Sequence, residues 1–88
     1  MKIPKKLKIG SVTLDIKLTH PDNIEGGCGD CDVINQVIRL NSDMSDDMKA
    51  FTLWHEIIHA WNTTLEEEKT DAMAQMIVTV IKDNNLYE

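Results

Sequence analysis

At its centre the chain reads Phe51-Thr52-Leu53-Trp54-His55-Glu56-Ile57-Ile58-His59-Ala60-Trp61, an apolar stretch that carries two histidines and one glutamate. On an α-helix, residues four positions apart lie one above the other on the same face. His55 and His59 can therefore direct ring nitrogens at one metal ion, at about 2.0–2.1 Å for zinc. Glu56 is rotated one step from that face, where its carboxylate can hold water rather than the metal. The stretch predicts a helix built around a metal site.

Chance spacing of histidines is the competing interpretation of this stretch. The chain has three histidines, and two of them occupy ligand positions with a glutamate where the His-Glu-x-x-His motif of metalloproteases requires one. Two imidazoles and a carboxylate are costly on an apolar helix unless something satisfies them. Metal binding is therefore favoured. Large apolar residues recur with a period of about 3.6 and predict a core-facing side, formed by Met48, Phe51, Trp54, Ile58 and Trp61.

Two β-hairpins are predicted ahead of this helix. Gly10-Ser11 separates two segments of alternating polarity, and Asn35-Gln36 separates two more. A two-residue loop that contains glycine is typical of a tight hairpin turn. These segments predict three or four strands in an antiparallel or mixed sheet, at residues 6–9, 12–18, 31–34 and 37–40.

The central helix is predicted to begin near Ser45, whose hydroxyl can cap the first turn, and to end at about Asn62. A second helix is predicted from about Leu65 to Asp83. Its inward-facing residues are predicted to be Met73, Met76, Ile77, Val80 and Ile81. The overall expectation is an α+β fold, in which a small sheet precedes a helical hairpin and residues 1–88 form a single zincin-like domain.

Composition limits the classes of partner. The net charge of −6 and the pI near 4.9 argue against nucleic acid or an anionic membrane as the main partner. No apolar run approaches the length of a membrane span, and no continuous apolar segment follows the basic start as in a secretory signal. We therefore expect a cytoplasmic protein; a peptide or protein substrate is expected from the His-Glu-x-x-His motif, not from composition.

Cys28 and Cys31 form the only Cys-x-x-Cys pair in the chain. A structural zinc site of this type needs four ligands, and His20 would supply only a third. A redox pair is expected at a helix N-terminus, whereas this pair lies in a glycine-rich loop that enters a strand. Asp30 and Asp32 would raise the pKa of the thiols rather than activate them. Two reduced cysteines without a special role are the favoured interpretation.

A catalytic zinc usually has three protein ligands and an open fourth position. The candidates for the third ligand are Glu66, Glu67, Glu68, Asp71 and His20. Because the connection after His59 is short, the second helix is expected to fold back across the first and to bring its first turns near the histidines. Glu67 is favoured because it shares a helix face with Asp71 and two small or apolar residues, Ala74 and Val78; Glu68 comes next. Asp71 could then accept a hydrogen bond from a ligating histidine. A solvated acidic helix start is the alternative interpretation.

The chain resembles the gluzincin metallopeptidases, in which a second helix carries a Glu-x-x-x-Asp pattern like that of Glu67 and Asp71. It resembles more closely the small phage-encoded metallopeptidase-like proteins related to the ImmA/IrrE group. The segments that carry this resemblance are Gly29-Asp30-Cys31-Asp32, Gln36-Val37-Ile38-Arg39-Leu40, Leu53–Ala60 and Ile81-Lys82-Asp83-Asn84. The resemblance implies Zn²⁺ bound by His55, His59 and an acidic residue of the second helix, with Glu56 as general base.

The expected activity is hydrolysis of a peptide bond by metal-activated water, with Glu56 transferring the proton to the leaving amine. His20, Arg39 and Tyr87 are candidates for stabilising the oxyanion, and the sequence does not choose among them. One alternative is a non-catalytic zinc protein that binds a partner. Another is a redox or regulatory module that uses Cys28 and Cys31.

Overall fold

The computed structural model describes residues 2–24 and 26–86, which form a four-stranded sheet followed by two helices. This confirms the predicted α+β class. A 3-10 turn lies between the second and third strands, at Pro21–Asn23. The other elements are β1 (Lys6–Ile9), β2 (Val12–Thr19), β3 (Gly29–Asp32), β4 (Val37–Asn41), α1 (Asp46–Trp61) and α2 (Glu67–Asp83).

The sheet has the strand order β1-β2-β4-β3 and is mixed. The β1–β2 and β3–β4 pairs are the two predicted antiparallel hairpins. Gly10 turns the first hairpin with a φ of 59°, a value that favours glycine. The two hairpins meet through a parallel pairing of β2 with β4, in which Ile16 lies opposite Ile38. β3 is therefore an edge strand.

The predicted position of the third strand, residues 31–34, is wrong by two residues because the turn begins earlier. The Asp32 carboxylate accepts hydrogen bonds from the Asn35 backbone N–H at 3.1 Å and from Asn35 Nδ2 at 2.7 Å. These bonds fix an Asx-type turn over residues 33–36, so the strand ends at Asp32.

The core lies between the two central strands and α1. Leu14 and Ile16 of β2 and Ile38 and Leu40 of β4 pack against Leu53 of α1. Because successive strand residues point to opposite faces, Arg39 lies on the face of the sheet away from this core. There it pairs with Asp30, with an Arg39 Nη1 to Asp30 Oδ1 distance of 2.8 Å.

The two helices are antiparallel neighbours, as predicted. The Ser45 hydroxyl caps α1 by accepting a hydrogen bond from the Met48 backbone N–H at 3.2 Å. The last turn of α2 returns to the first turn of α1, where Lys82 Nζ lies 2.8 Å from Asp47 Oδ2. No helix within the described part of the chain combines the length and the apolar character needed to cross a membrane.

The predicted inward faces of the two helices are partly wrong. Trp61 is 68% exposed, and Met48, Met76 and Val80 are also exposed. Among the described residues, α2 packs mainly on α1, and the buried positions of α2 are the small residues Thr70 and Ala74. One neighbouring helix covers only a narrow stripe, so the larger apolar residues of α2 lie outside it.

Candidate metal centre

His55 and His59 lie on successive turns of α1 and face the same direction. Their ring centroids are 4.6 Å apart with an interplanar angle of 76°. Both residues are partly buried, which limits competition from solvent for their nitrogens. This is the arrangement expected of the i, i+4 spacing.

The short connection between the helices places Glu67 beside the two histidine rings. Asn62 ends α1, and its Oδ1 accepts hydrogen bonds from the Thr64 backbone N–H at 3.2 Å and from the Thr64 hydroxyl at 2.8 Å. α2 then starts at Glu67. The Oε1 atom of Glu67 lies 2.8 Å from His59 Nε2, and its Oε2 atom lies 3.2 Å from His55 Nε2.

These three side chains fit a metal ion. One ligand atom from each of His55, His59 and Glu67 lies within 4.8 Å of the other two. Tetrahedral zinc ligands at 2.0–2.1 Å are separated by roughly 3.3 Å, close to the two distances from Glu67. Two imidazole nitrogens and one carboxylate oxygen are a donor set that zinc accepts. Among residues 2–24 and 26–86, no other group of three or more histidine, cysteine, aspartate or glutamate side chains is arranged to hold a metal ion.

Asp71 supports the far side of the His55 ring. Its Oδ1 atom lies 2.6 Å from His55 Nδ1, within hydrogen-bond distance. A proton held at Nδ1 leaves the Nε2 lone pair directed toward Glu67. Asp71 therefore selects the tautomer in which His55 can bind a metal through Nε2.

Glu56 is buried beside the three potential ligands, with 8% of its surface exposed. Burial raises the pKa of its carboxyl; His55 and His59 act in the opposite direction, while Asp30 and Glu67 raise it further. A carboxyl with a raised pKa in a partly dry site is the type of group that exchanges protons in catalysis.

Two cavities flank Glu56, which contributes to the lining of both. The first, which we call the His55 cavity, has a volume of about 230 Å³. The second, the His59 cavity, is also about 230 Å³. The His55 cavity is lined by Cys28, Gly29, Met48, Phe51, Thr52, His55, Glu56 and Asp71, and the His59 cavity by Cys31, Val33, Glu56, His59 and Thr63.

Gly29 allows β3 to approach α1 closely beside the site. A Cβ atom at Gly29 would lie 2.6 Å from Thr52 Cγ2 and 2.9 Å from the Arg39 carbonyl oxygen. Both distances are shorter than ordinary van der Waals contact. The edge strand can therefore lie this close to α1 only with glycine at this position.

Other sequence-derived candidates lie elsewhere. His20 caps the 3-10 turn, where its Nδ1 accepts a hydrogen bond from the Asp22 backbone N–H at 3.2 Å. Arg39 lies on the opposite face of the sheet and is paired with Asp30. Glu66 Oε1 lies 4.0 Å from Lys69 Nζ, and Glu68 is exposed. Tyr87 lies outside the described residues.

Both cysteines are free thiols and each lines one of the cavities. Burial raises the pKa of Cys31 to about 11, with further contributions from Glu56, Asp30 and Asp32. The expected direction of the effect of the two aspartates on Cys31 is therefore confirmed, although burial is the larger cause.

The sequence interpretation missed the wall of the His55 cavity. Met48 and Phe51 were expected in the core, but both line this cavity. The available signal was their helix phase, because positions 48, 51, 52 and 55 lie on one face of α1. Gly29 and Cys28 had no such signal, since only the tertiary packing brings them to the helix.

Comparison with known families agrees with this geometry. The family model Peptidase_M78, described as the IrrE N-terminal-like domain, matches residues 9–76. No curated protein and no solved structure matches the chain. The matched range contains His55, Glu56, His59, Glu67 and Asp71. It confirms the predicted resemblance to the ImmA/IrrE group.

Proposed function

The chain belongs to the Peptidase_M78 family of IrrE N-terminal-like domains, and on this premise we propose that it is a zinc-dependent peptidase. His55, His59 and Glu67 bind the metal, and Glu56 is the general base. The observation that carries the proposal is the convergence of one ligand atom from each of the three residues within 4.8 Å, directly beside the buried Glu56.

Zinc is the metal that this donor set favours. Two histidines and one glutamate form a three-ligand set of the kind found in catalytic zinc sites, which keep a fourth position open. When bound, Zn²⁺ supplies a Lewis acid that polarises a peptide carbonyl and lowers the pKa of water toward about 7.

Glu56 transfers the proton from the attacking water to the leaving group. It directly follows His55 in the sequence and precedes His59 by three positions. Its side chain lines both cavities, so it can contact water and substrate. The carboxylate accepts a proton from the attacking water and donates it to the leaving amine. The raised pKa of Glu56, caused mainly by burial, suits this exchange, because a more basic carboxylate accepts a proton more readily.

The edge strand β3 is the proposed binding surface for the substrate backbone. Residues of this strand and the residue before it line both cavities: Cys28 and Gly29 the first, Cys31 the second. The unpaired edge of a sheet can hold an extended peptide by main-chain hydrogen bonds. A peptide added along β3 would cross the metal centre, which supports a peptide or protein substrate.

The test is a Glu56→Gln variant assayed with a peptide library, with cleavage products identified by mass spectrometry. The zinc-loaded wild type is expected to cleave members of the library. Glu56→Gln is expected to bind zinc equally well and to cleave none, because glutamine has no base to accept the proton. Glu68→Gln is the matched control and should behave as the wild type. Full activity in Glu56→Gln would contradict the assigned role.

A zinc protein that binds a partner without catalysis is the second candidate. Exposed apolar side chains on the two helices favour it, since exposed apolar surface often marks interaction sites. These side chains include Trp61, Met76 and Val80. Stoichiometric zinc in the wild type without any cleavage of the library would support this candidate over the peptidase.

A further inference from the structure

The His55 cavity has an apolar end and a polar end. Met48, Phe51 and Thr52 of α1 line it together with Gly29, and His55, Glu56 and Asp71 line it near the metal centre. The apolar residues lie one to two helical turns before His55 on the same side of α1. The cavity therefore extends from the candidate reaction centre into an apolar recess.

The side chains of the recess offer few free polar atoms. The Thr52 hydroxyl donates to Met44 Sδ at 3.9 Å, and the Thr52 methyl group is the atom nearest to where a Cβ of Gly29 would be. Gly29 contributes no side chain. What remains in the recess is mainly hydrocarbon and aromatic surface, which binds apolar groups in preference to hydrated ones.

The volume suits one amino-acid side chain. An apolar protein cavity of about 150 Å³ is large enough to bind benzene. The His55 cavity, at about 230 Å³, can therefore receive a leucine, methionine or phenylalanine side chain. An acidic side chain would meet Glu56 and Asp71 at the polar end, and none of the lining residues is a lysine or arginine that could pair with it.

We propose that the His55 cavity is the specificity pocket of this protein and selects peptides with a medium or large apolar side chain next to the cleaved bond. The proposal rests on the proposed function, because it takes His55 and Glu56 as the reaction centre. Met48 and Phe51 set the size of the pocket, and Gly29 allows β3 to lie close enough to α1 to form part of its wall.

The first experiment compares two metal-binding probes that differ in one side chain. Calorimetry measures the affinity of leucine hydroxamate and glycine hydroxamate for the zinc-loaded protein. Leucine hydroxamate is expected to bind on the order of tenfold more tightly, because its isobutyl group leaves water for the pocket. Equal affinity of the two probes would overturn the proposal.

Met48→Trp and Met76→Trp form a matched pair for this measurement. Both methionines are exposed helix residues, but only Met48 lines the cavity. Met48→Trp is expected to fill the pocket and to bring the leucine-to-glycine affinity ratio close to one. Met76→Trp should leave the ratio unchanged. A ratio that stays the same in Met48→Trp would contradict the role of Met48.

Met48→Ala enlarges the same pocket instead of filling it. It also provides a test if the Met48→Trp variant does not fold. The enlarged cavity is expected to shift the preference from leucine hydroxamate to phenylalanine hydroxamate. Circular dichroism checks that each variant retains its helices.

The rate at which the Cys28 thiol is modified gives a second measurement of pocket occupancy that does not depend on catalysis. This thiol is exposed and lines the cavity. In a Cys31→Ser background, leucine hydroxamate is expected to slow the reaction of Cys28 with N-ethylmaleimide, and glycine hydroxamate to have a much smaller effect. Equal protection by both probes would count against the pocket.

Two results distinguish loss of the pocket from loss of the peptidase activity. Equal binding of both hydroxamates together with peptide cleavage would remove the pocket and keep the peptidase. Preferential binding of leucine hydroxamate without any peptide cleavage would keep the pocket and remove the catalytic function.

Discussion

The Nδ1 atom of His55 lies 2.6 Å from the Oδ1 atom of Asp71, on the side of the ring opposite the nitrogen that faces Glu67. Asp71 follows Glu67 by one turn of α2, just as His59 follows His55 by one turn of α1. Two i, i+4 pairs on antiparallel helices thus contact each other. One acidic residue faces the candidate metal position, and the other orients a histidine.

Loss of Asp71 should weaken zinc binding without abolishing it. In Asp71→Ala the Nδ1 atom of His55 has no carboxylate partner, so the ring is less well oriented. We expect zinc affinity to fall by roughly 10–100-fold. Competition with a fluorescent chelator measures the affinity. Glu68→Ala removes an equal charge from the same helix and should change the affinity little; an equal loss in both variants would mean that only net charge matters.

Replacing Glu56 by glutamine should stabilise the metal-free protein at neutral pH. Burial raises the pKa of Glu56, so ionisation opposes the folded state. The free energy of unfolding of the wild type falls as pH rises from the unfolded-state value of about 4.3 through the higher folded-state pKa. Glutamine does not ionise, so the variant avoids this loss.

The expected gain is on the order of 1 kcal/mol at pH 7, typical of replacing a destabilising active-site group. Urea unfolding of the metal-free wild type and Glu56→Gln measures it. The difference should shrink toward zero at pH 4. A constant difference across this range would show that the charge of Glu56 is not its cause.

Local sequence patterns were sufficient to predict α1, its Ser45 cap and both hairpins, because neighbouring residues determine these features. The parallel pairing of β2 with β4 joins segments far apart in sequence, and no turn signal encodes it. Met76 and Val80 were misplaced because an apolar helix face indicates a capacity for burial, not the presence of a neighbour to cover it.

The residues of the candidate site likewise fall into those that local sequence predicts and those that depend on tertiary packing. The spacing of His55, Glu56 and His59 follows from helix geometry alone. The proximity of Glu67 and Asp71 was predicted from the short connection and their shared helix face, and the structure brings both carboxylates to the His55 ring. The approach of Gly29 depends on packing between β3 and α1, which no local pattern reveals.

Gly29→Ala should destabilise the fold through a steric clash. The added methyl group would lie 2.6 Å from Thr52 Cγ2 and 2.9 Å from the Arg39 carbonyl oxygen. Overpacking of this kind costs about 1–3 kcal/mol in the free energy of unfolding. Adding Thr52→Ala should recover part of the loss, since it removes the side-chain clash and leaves the backbone contact. Additive losses in the double variant would exclude Thr52 as the clashing group.

The two thiols should differ in reactivity. With a pKa of about 11, Cys31 is about one part in a thousand thiolate at pH 8, and it is half-buried. Cys28 is exposed. Iodoacetamide at pH 8 is therefore expected to modify Cys28 first, and Cys31 only after urea is added. Peptide mapping by mass spectrometry follows both sites, and equal rates in the folded protein would contradict the burial of Cys31.

The most direct test of the central claim is the zinc content of the protein purified without added metal or a histidine tag. Elemental analysis should find about one zinc per chain in the wild type and in Glu68→Gln, and little in His59→Ala or Glu67→Gln, with all four folded. That result would establish His59 and Glu67 as ligands. Full zinc occupancy in Glu67→Gln, or no zinc in the folded wild type, would contradict the proposed metal centre.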